Sequence, residues 1–301
     1  MSKMPIAVRV LKLCVFFVAA LGCRGQFETG HWIRSDAAQL PPAEVHAFLE
    51  QICPGQASAS GCAVCPEGTA FAPPASTQTW DLKAILRGHF LSPASADALI
   101  SGMGCEPHAD GMSGSFLFTR DGSSWRKVRY EAGVKAWDCK KLTGSDGRDR
   151  LACAAEDGHQ GFQDEFVYLL DPGRDPATAD PMNDTTGGDM FFEVGDSLRG
   201  CVALADGSVL SGSIERVTFT PLPEKRRVRI VVSARLGQAV VPKTVWEDAC
   251  PVGLRRHLRI ATVARQYEFV FDGAKIAPAP NNPPMKYRSA VAPRTSYSTT
   301  K

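Results

Sequence analysis

Eight cysteines behind an export leader constrain this chain more than any other feature of its sequence. Lys3, Arg9 and Lys12 precede an apolar run from Leu13 to Leu21, the basic and apolar halves of a signal peptide. That run is well short of the roughly 20 residues a membrane-spanning helix needs. Cys14 lies inside the leader and Cys23 closes it; the others are Cys53, Cys62, Cys65, Cys105, Cys139, Cys153, Cys201 and Cys250. An even set in an oxidising compartment reads as up to four disulfides, whose connectivity spacing alone leaves open.

The end of the leader, Ala20-Leu21-Gly22-Cys23, resembles the bacterial lipoprotein signal, which implies lipidation of Cys23 and a membrane anchor. In diderm lipoproteins a residue other than Asp after the cysteine goes with passage to the outer membrane, and here it is Arg24. Parity points the same way. Ordinary cleavage between Ala20 and Leu21 leaves nine cysteines in the exported chain, whereas acylation of Cys23 takes it out of the count. Ordinary cleavage, giving a soluble secreted protein, is the alternative.

Residues 1–22 are thus read as the signal, 23–40 as a tether and 41–78 as a small helical, disulfide-stapled region. Residues 79–276 are read as a mainly β body and 277–301, rich in Pro, Ser and Thr, as a disordered tail. Val45, Phe48, Leu49 and Ile52 recur at helical spacing between Pro41-Pro42 and Pro54-Gly55, the stripe of a short helix that packs on a core. From Trp80 onward, short apolar runs are bounded by turns. Asp121-Gly122, Asp206-Gly207 and Asp272-Gly273 supply the positive φ angles of tight hairpins. Further strands are expected at Leu151–Ala155, Phe166–Leu170, Glu215–Thr220, Val228–Ala234 and Leu258–Val263, in antiparallel sheets.

Two segments read as copies of one strand, loop, strand, loop, strand unit. One runs Ala84–Phe90, Ala96–Ile100 and Gly114–Phe118; the other runs Cys139–Leu142, Asp146–Leu151 and Phe166–Leu169. This order resembles the FG-GAP or integrin-type repeat, a β-propeller blade with an Asp-rich calcium loop. The resemblance implies blade-like sheets in an antiparallel meander or incomplete propeller, without a calcium site. Leu91, Pro93 and Ala94, and Leu142, Gly144 and Arg150, stand where that family places oxygen donors, and Ca²⁺ takes roughly six to eight of them.

Without Lys3, Arg9 and Lys12 the formal charge falls from +2 to −1, which sets nucleic acid aside as a partner. The charge is divided, however. Between Glu156 and Asp206 twelve acids stand against Arg174 and Arg199, and between Glu224 and Arg265 ten Lys and Arg stand against three acids. Facing halves or solvated strand faces account for this. A sharper reading is a cationic sheet face for an anionic envelope polymer, because Arg227 and Arg229, and likewise Arg255 and Arg259, share parity and so one side of a strand.

Several constellations invite chemistry and lack its partners. Gly195-Asp196-Ser197-Leu198 resembles the nucleophile block of GDSL-type esterases, which implies Ser197 attacking an ester with help from a downstream Asp-x-x-His pair. Leu254 stands where that pair needs its aspartate, three residues before His257. Cys62-Ala63-Val64-Cys65 has redox or zinc spacing, but no second pair recurs, and Cys53 nearby favours a local disulfide. One of Cys62 and Cys65 then reaches elsewhere, and Cys105 with Cys139 is the expected second bridge. Cys105-Glu106-Pro107-His108 with Asp110, and the run Asp171, Asp175, Asp180, Asp184, Asp189, gather carboxylates without the rhythm of a cation loop. No catalytic residue, metal or cofactor is expected. The sequence predicts an exported, lipid-anchored, non-catalytic binding or structural module whose partners are the membrane and an anionic polymer or another envelope protein. A Ser197 esterase and a calcium-stiffened structural protein are the alternatives.

Overall fold

A computed structural model of the chain describes residues 32–72, 78–107, 111–159, 162–175, 188–197, 207–224, 226–240 and 260–283. The leader, Cys23, Cys201, Cys250, Arg255 and Arg259 lie outside these residues, as does the first half of the expected Asp206-Gly207 hairpin. Among the described residues helix α1 (Pro42–Ile52) precedes three antiparallel sheets. Sheet A runs β1 (Ala57–Ser58), β2 (Gly61–Cys62), β3 (Trp80–Gly88), β4 (Asp97–Met103), β5 (Ser113–Asp121) and β6 (Ser124–Ala132). Sheet B comprises β7 (Cys139–Thr143), β8 (Asp149–His159), β9 (Phe162–Leu170) and β10 (Gly188–Asp196). Sheet C comprises β11 (Ser208–Pro221), β12 (Val228–Val240), β13 (Val263–Phe271) and β14 (Ile276–Pro278). Every strand pairs with its neighbour in sequence, so each sheet is a meander. The protein is mainly β, as its sequence predicts.

Local chemistry explains the elements. Proline opens α1, Cys53 closes it by donating its N–H to Leu49 O, and Phe48, Leu49 and Ile52 turn inward. Gly122 at φ 58° and Gly273 at φ 98° take the left-handed backbone that the turns β5–β6 and β13–β14 demand. Strand alternation then builds layers. On β5, Phe116 and Phe118 pack under α1 while Leu117 points to sheet B; on β8, Leu151, Cys153 and Ala155 face sheet A while Ala152 and Ala154 face sheet C. The order of layers is therefore α1, A, B, C, and the inner strands are apolar on both faces because each is covered on both.

Among the described residues three disulfides staple this stack: Cys53–Cys62, Cys65–Cys105 and Cys139–Cys153. The expected bridge between Cys105 and Cys139 is not formed. Cys65 and Cys105 share the core between α1 and sheet A, whereas Cys139 and Cys153 face each other across β7 and β8 in the core between sheets A and B.

The expected boundaries also shift. Residues 32–38 are not a free tether: Ile33 is 2% exposed, Val217 N–H donates to Trp32 O at 2.8 Å, and Ala38 N–H donates to Ile85 O at 2.7 Å. Within 41–78, α1 and the Cys53–Cys62 bridge lie against sheet A, which β1 and β2 extend. The start of the expected tail forms β14, beyond which Asn282 takes the N–H and carbonyl of Glu268. Of the expected strand Leu258–Val263, only Val263 lies in one among the described residues.

Buried carboxylates tie the loops to the sheets. Asp97, at the start of β4, accepts from Phe90 N–H (2.7 Å), Leu91 N–H (2.8 Å) and Ser95 Oγ (2.6 Å). Asp149 holds the matching place at the start of β8 in sheet B, and its Oδ2 accepts from His89 N–H at 3.0 Å while its own N–H returns to His89 O at 2.8 Å. Asp97→Ala leaves two amides of the β3–β4 loop without their acceptor and is expected to cost about 3 kcal/mol, read as a lowered denaturation midpoint with an unchanged m-value.

Candidate functional site

The two expected cations of sheet C that are described, Arg227 and Arg229, each have a carboxylate neighbour. Arg227 lies in the β11–β12 turn, 3.7 Å from Glu224, and Arg229 on β12 meets Glu268 of β13 at 3.1 Å. Arg235 on the same strand meets Glu215 of β11 at 2.6 Å. A count of charges along the chain misses these pairs because antiparallel register creates them. Arg255 and Arg259 fall outside the described residues.

Ser197 is fully buried at the end of β10, where its Oγ accepts the Leu210 N–H at 2.8 Å. It thereby fastens sheet B to sheet C, and an ester has no approach to it. Glu106 is likewise structural: its Oε1 accepts from Ala70 N–H at 3.1 Å and Tyr130 Oη at 2.8 Å, tying the loop after Cys65 to sheet A. His108 and Asp110 lie outside the described residues. Cys62 and Cys65 are spent on separate disulfides, which removes the redox or zinc pair. Lys135 is a buried amine held below the ordinary lysine value by desolvation, an effect that Asp157 opposes. Its Nζ donates to Glu156 O at 2.8 Å, so it braces the end of sheet B.

The β7–β8 hairpin forms a square of charges with Asp171. Arg150 grips Asp146 through two nitrogens at 3.0 and 3.1 Å, and Arg148 grips Asp171 in the same way at 3.0 and 3.1 Å. Arg148 Nε also reaches Asp146 at 2.8 Å, and Arg150 Nε lies 3.4 Å from Asp171. Each guanidinium thus touches both carboxylates. Of the acidic run, Asp171 is used in this square, Asp189 lies 3.8 Å from Arg174, and Asp180 and Asp184 lie outside the described residues. Beside the square lies a cleft of about 150 Å³ lined by Arg150, Leu169, Asp171, Arg174, Gly188 and Asp189 with Ala274, smaller than the roughly 300 Å³ at which small-molecule sites begin. Among the described residues no group of three or more His, Cys, Asp and Glu could hold a metal ion.

Among the described residues, cations without a carboxylate partner stand on the β5–β6 hairpin, as Arg216 and Arg265 do on sheet C. Arg126 and Lys127 are exposed, and no carboxylate lies within salt-bridge distance of either among the described residues. Arg120 and Arg87 place their guanidinium carbons 5.7 Å from the ring of Trp125, which packs on Phe48 at 5.0 Å. Sequence reasoning passed over this cluster, although Arg120, Trp125, Arg126, Lys127 and Arg129 flank an Asp-Gly turn it had identified. What the sequence does not show is that β6 is the last strand of its sheet.

No protein-family model, curated protein or solved structure matches this chain.

The hydrogen bonds from Arg150, joined by Arg148, hold the Asp146 carboxyl well below the usual carboxylate range. Because its folded pKa is lowered, its contribution to stability is complete above the unfolded value of about 4 and is lost as the pH falls through the lowered one. Asp146→Asn is expected to melt below the wild type at pH 6, with the gap closing as both are acidified towards pH 2. Ser197→Ala is expected to cost about 1 kcal/mol through the lost Leu210 bond and to leave turnover of p-nitrophenyl butyrate at the level of the wild type.

Proposed function

We propose that the protein is an exported, non-catalytic module of the bacterial envelope, held to the outer membrane by a lipid on Cys23 and binding an envelope component through its β body. The observation that carries the compartment is the set of three disulfides, each buried in a core layer, which calls for an oxidising environment outside the cytoplasm. No helix among the described residues is long and apolar enough to cross a membrane, and the basic, apolar and cysteine-terminated leader supplies an anchor of a different kind. The blade resemblance fits three meanders stacked face to face, a scaffold that presents loops and strand edges rather than an enclosed pocket. Ser197 and the Cys62, Cys65 pair, the groups with the strongest claim to chemistry, are both committed to holding the fold.

The anchor is tested by expressing wild type and Cys23→Ser in a diderm host, with intact mass and palmitate labelling of membrane and soluble fractions. Wild type is expected in the membrane fraction with acyl mass on Cys23, and the variant is expected to lose the label. An unmodified wild-type chain beginning at Leu21 contradicts the anchor.

A further inference from the structure

We infer that the edge of β6 is a docking strand for an acidic, extended peptide segment of a partner protein. This deepens the binding role proposed above and rests on it. Strand β6 ends sheet A, bonded to β5 on one side. Among the described residues, no backbone group of Ser124–Val128 bonds to anything but β5. Outward N–H and C=O groups of such an edge accept an added strand.

The side chains say which strand. Arg126 and Lys127 are consecutive, so they point to opposite faces of the sheet. A polymer lying on one face meets one of them; a strand laid along the edge meets both. Between Arg120 and Glu131 four cations face two acids, and Glu131 is taken by Arg129. The hairpin therefore carries a surplus of positive charge on the last strand of its sheet. The same edge opposes pairing with a second copy of itself, since like charges would face each other.

The geometry also limits the docked segment. A register shift between Leu117 and Phe118 leaves Val128 unpaired as a bulge in β6, which bends the strand and ends its regular edge. The usable stretch is Ser124–Lys127 with its flanks. Trp125 is fixed by Phe48 beneath it and by Arg87 and Arg120 beside it, and Arg87 is in turn paired with Glu44 of α1. The edge is thus preorganised, and its cations are held at a rigid end of the sheet.

The test is fluorescence anisotropy of the full mature protein with a labelled peptide of about eight residues, Val and Thr around a central Glu-Glu pair. The comparisons are the same peptide N-methylated throughout, a Lys-Lys version, and dextran sulfate. Saturable binding of the Glu-Glu peptide is expected, together with loss on N-methylation, loss in the Lys-Lys version, and about tenfold weakening in Arg126→Glu/Lys127→Glu. Both substituted side chains are exposed, so circular dichroism of the double variant is expected to match the wild type. Equal binding of the N-methylated peptide overturns the inference in favour of charge alone. Binding of dextran sulfate without binding of peptide overturns it in favour of a polyanion. A flat peptide titration, with self-association of the double variant by ultracentrifugation, overturns it in favour of edge protection. A chain without lipid on Cys23 that still binds the peptide contradicts the anchor and not the edge, whereas an anchored chain with a flat titration contradicts the edge and not the anchor.

Discussion

Carboxylates buried between the sheets, each accepting backbone N–H groups from another segment, are the interaction on which the rest of the structure depends. Asp149 joins sheet B to the β3–β4 loop of sheet A through its pair of bonds with His89. Glu165 on β9 joins B to C by accepting the Ile214 N–H at 2.6 Å, where β11 is bulged. Asp138 takes the Ile33 N–H at 3.3 Å and so binds the first described segment to the stack. Apolar layers between sheets supply most of the driving force, but they are non-directional. Carboxylates with fixed amide partners set the register of one sheet against the next, because leaving either side unpaired in a buried site is costly.

The same logic governs the charged loop of sheet B. A calcium loop gathers several carboxylates around a divalent cation. Here Asp146 and Asp171 surround Arg148 and Arg150 instead, two negative charges against two positive ones, with every contact directional. The donors that a cation would need are occupied by guanidinium groups. Beyond this square, Arg148 donates to Phe90 O at 3.3 Å, Ser145 N–H donates to Gly273 O at 2.7 Å, and Arg226 reaches the Ser145 carbonyl. The charged loop of sheet B therefore contacts both of its neighbours.

Much of the architecture was legible in the sequence where local chemistry decides it. The spacing of Phe48, Leu49 and Ile52 marks α1, and the glycines of Asp121-Gly122 and Asp272-Gly273 mark two hairpins. The strands read at Ala84–Phe90, Ala96–Ile100 and Gly114–Phe118, and at Cys139–Leu142 and Phe166–Leu169, fall largely within strands of sheets A and B. What sequence could not show depends on register and on which strand lies at an edge. The Cys139–Cys153 bridge follows once β7 and β8 are folded as a hairpin about Gly144–Arg148, a signal available but not drawn from the two strands taken separately. Cys65–Cys105 carries no such signal, for its partners meet only after α1 covers sheet A. Arg229 looked like a free cation because Glu268 lies on another strand, and Arg126 and Lys127 looked ordinary because nothing in the sequence distinguishes an edge strand from a central one. Trp32 and Ile33 read as tether because a short segment that runs over a stack has no periodicity of its own.

The account stands on one claim: sheets A, B and C form a single cooperative stack whose loops are neutralised from within rather than by calcium. Differential scanning calorimetry of the oxidised mature protein, in EDTA and in millimolar Ca²⁺, tests it most directly. One transition at the same temperature in both conditions is the expected result. A clear rise in Tm with Ca²⁺, or separate transitions for parts of the body, would contradict it.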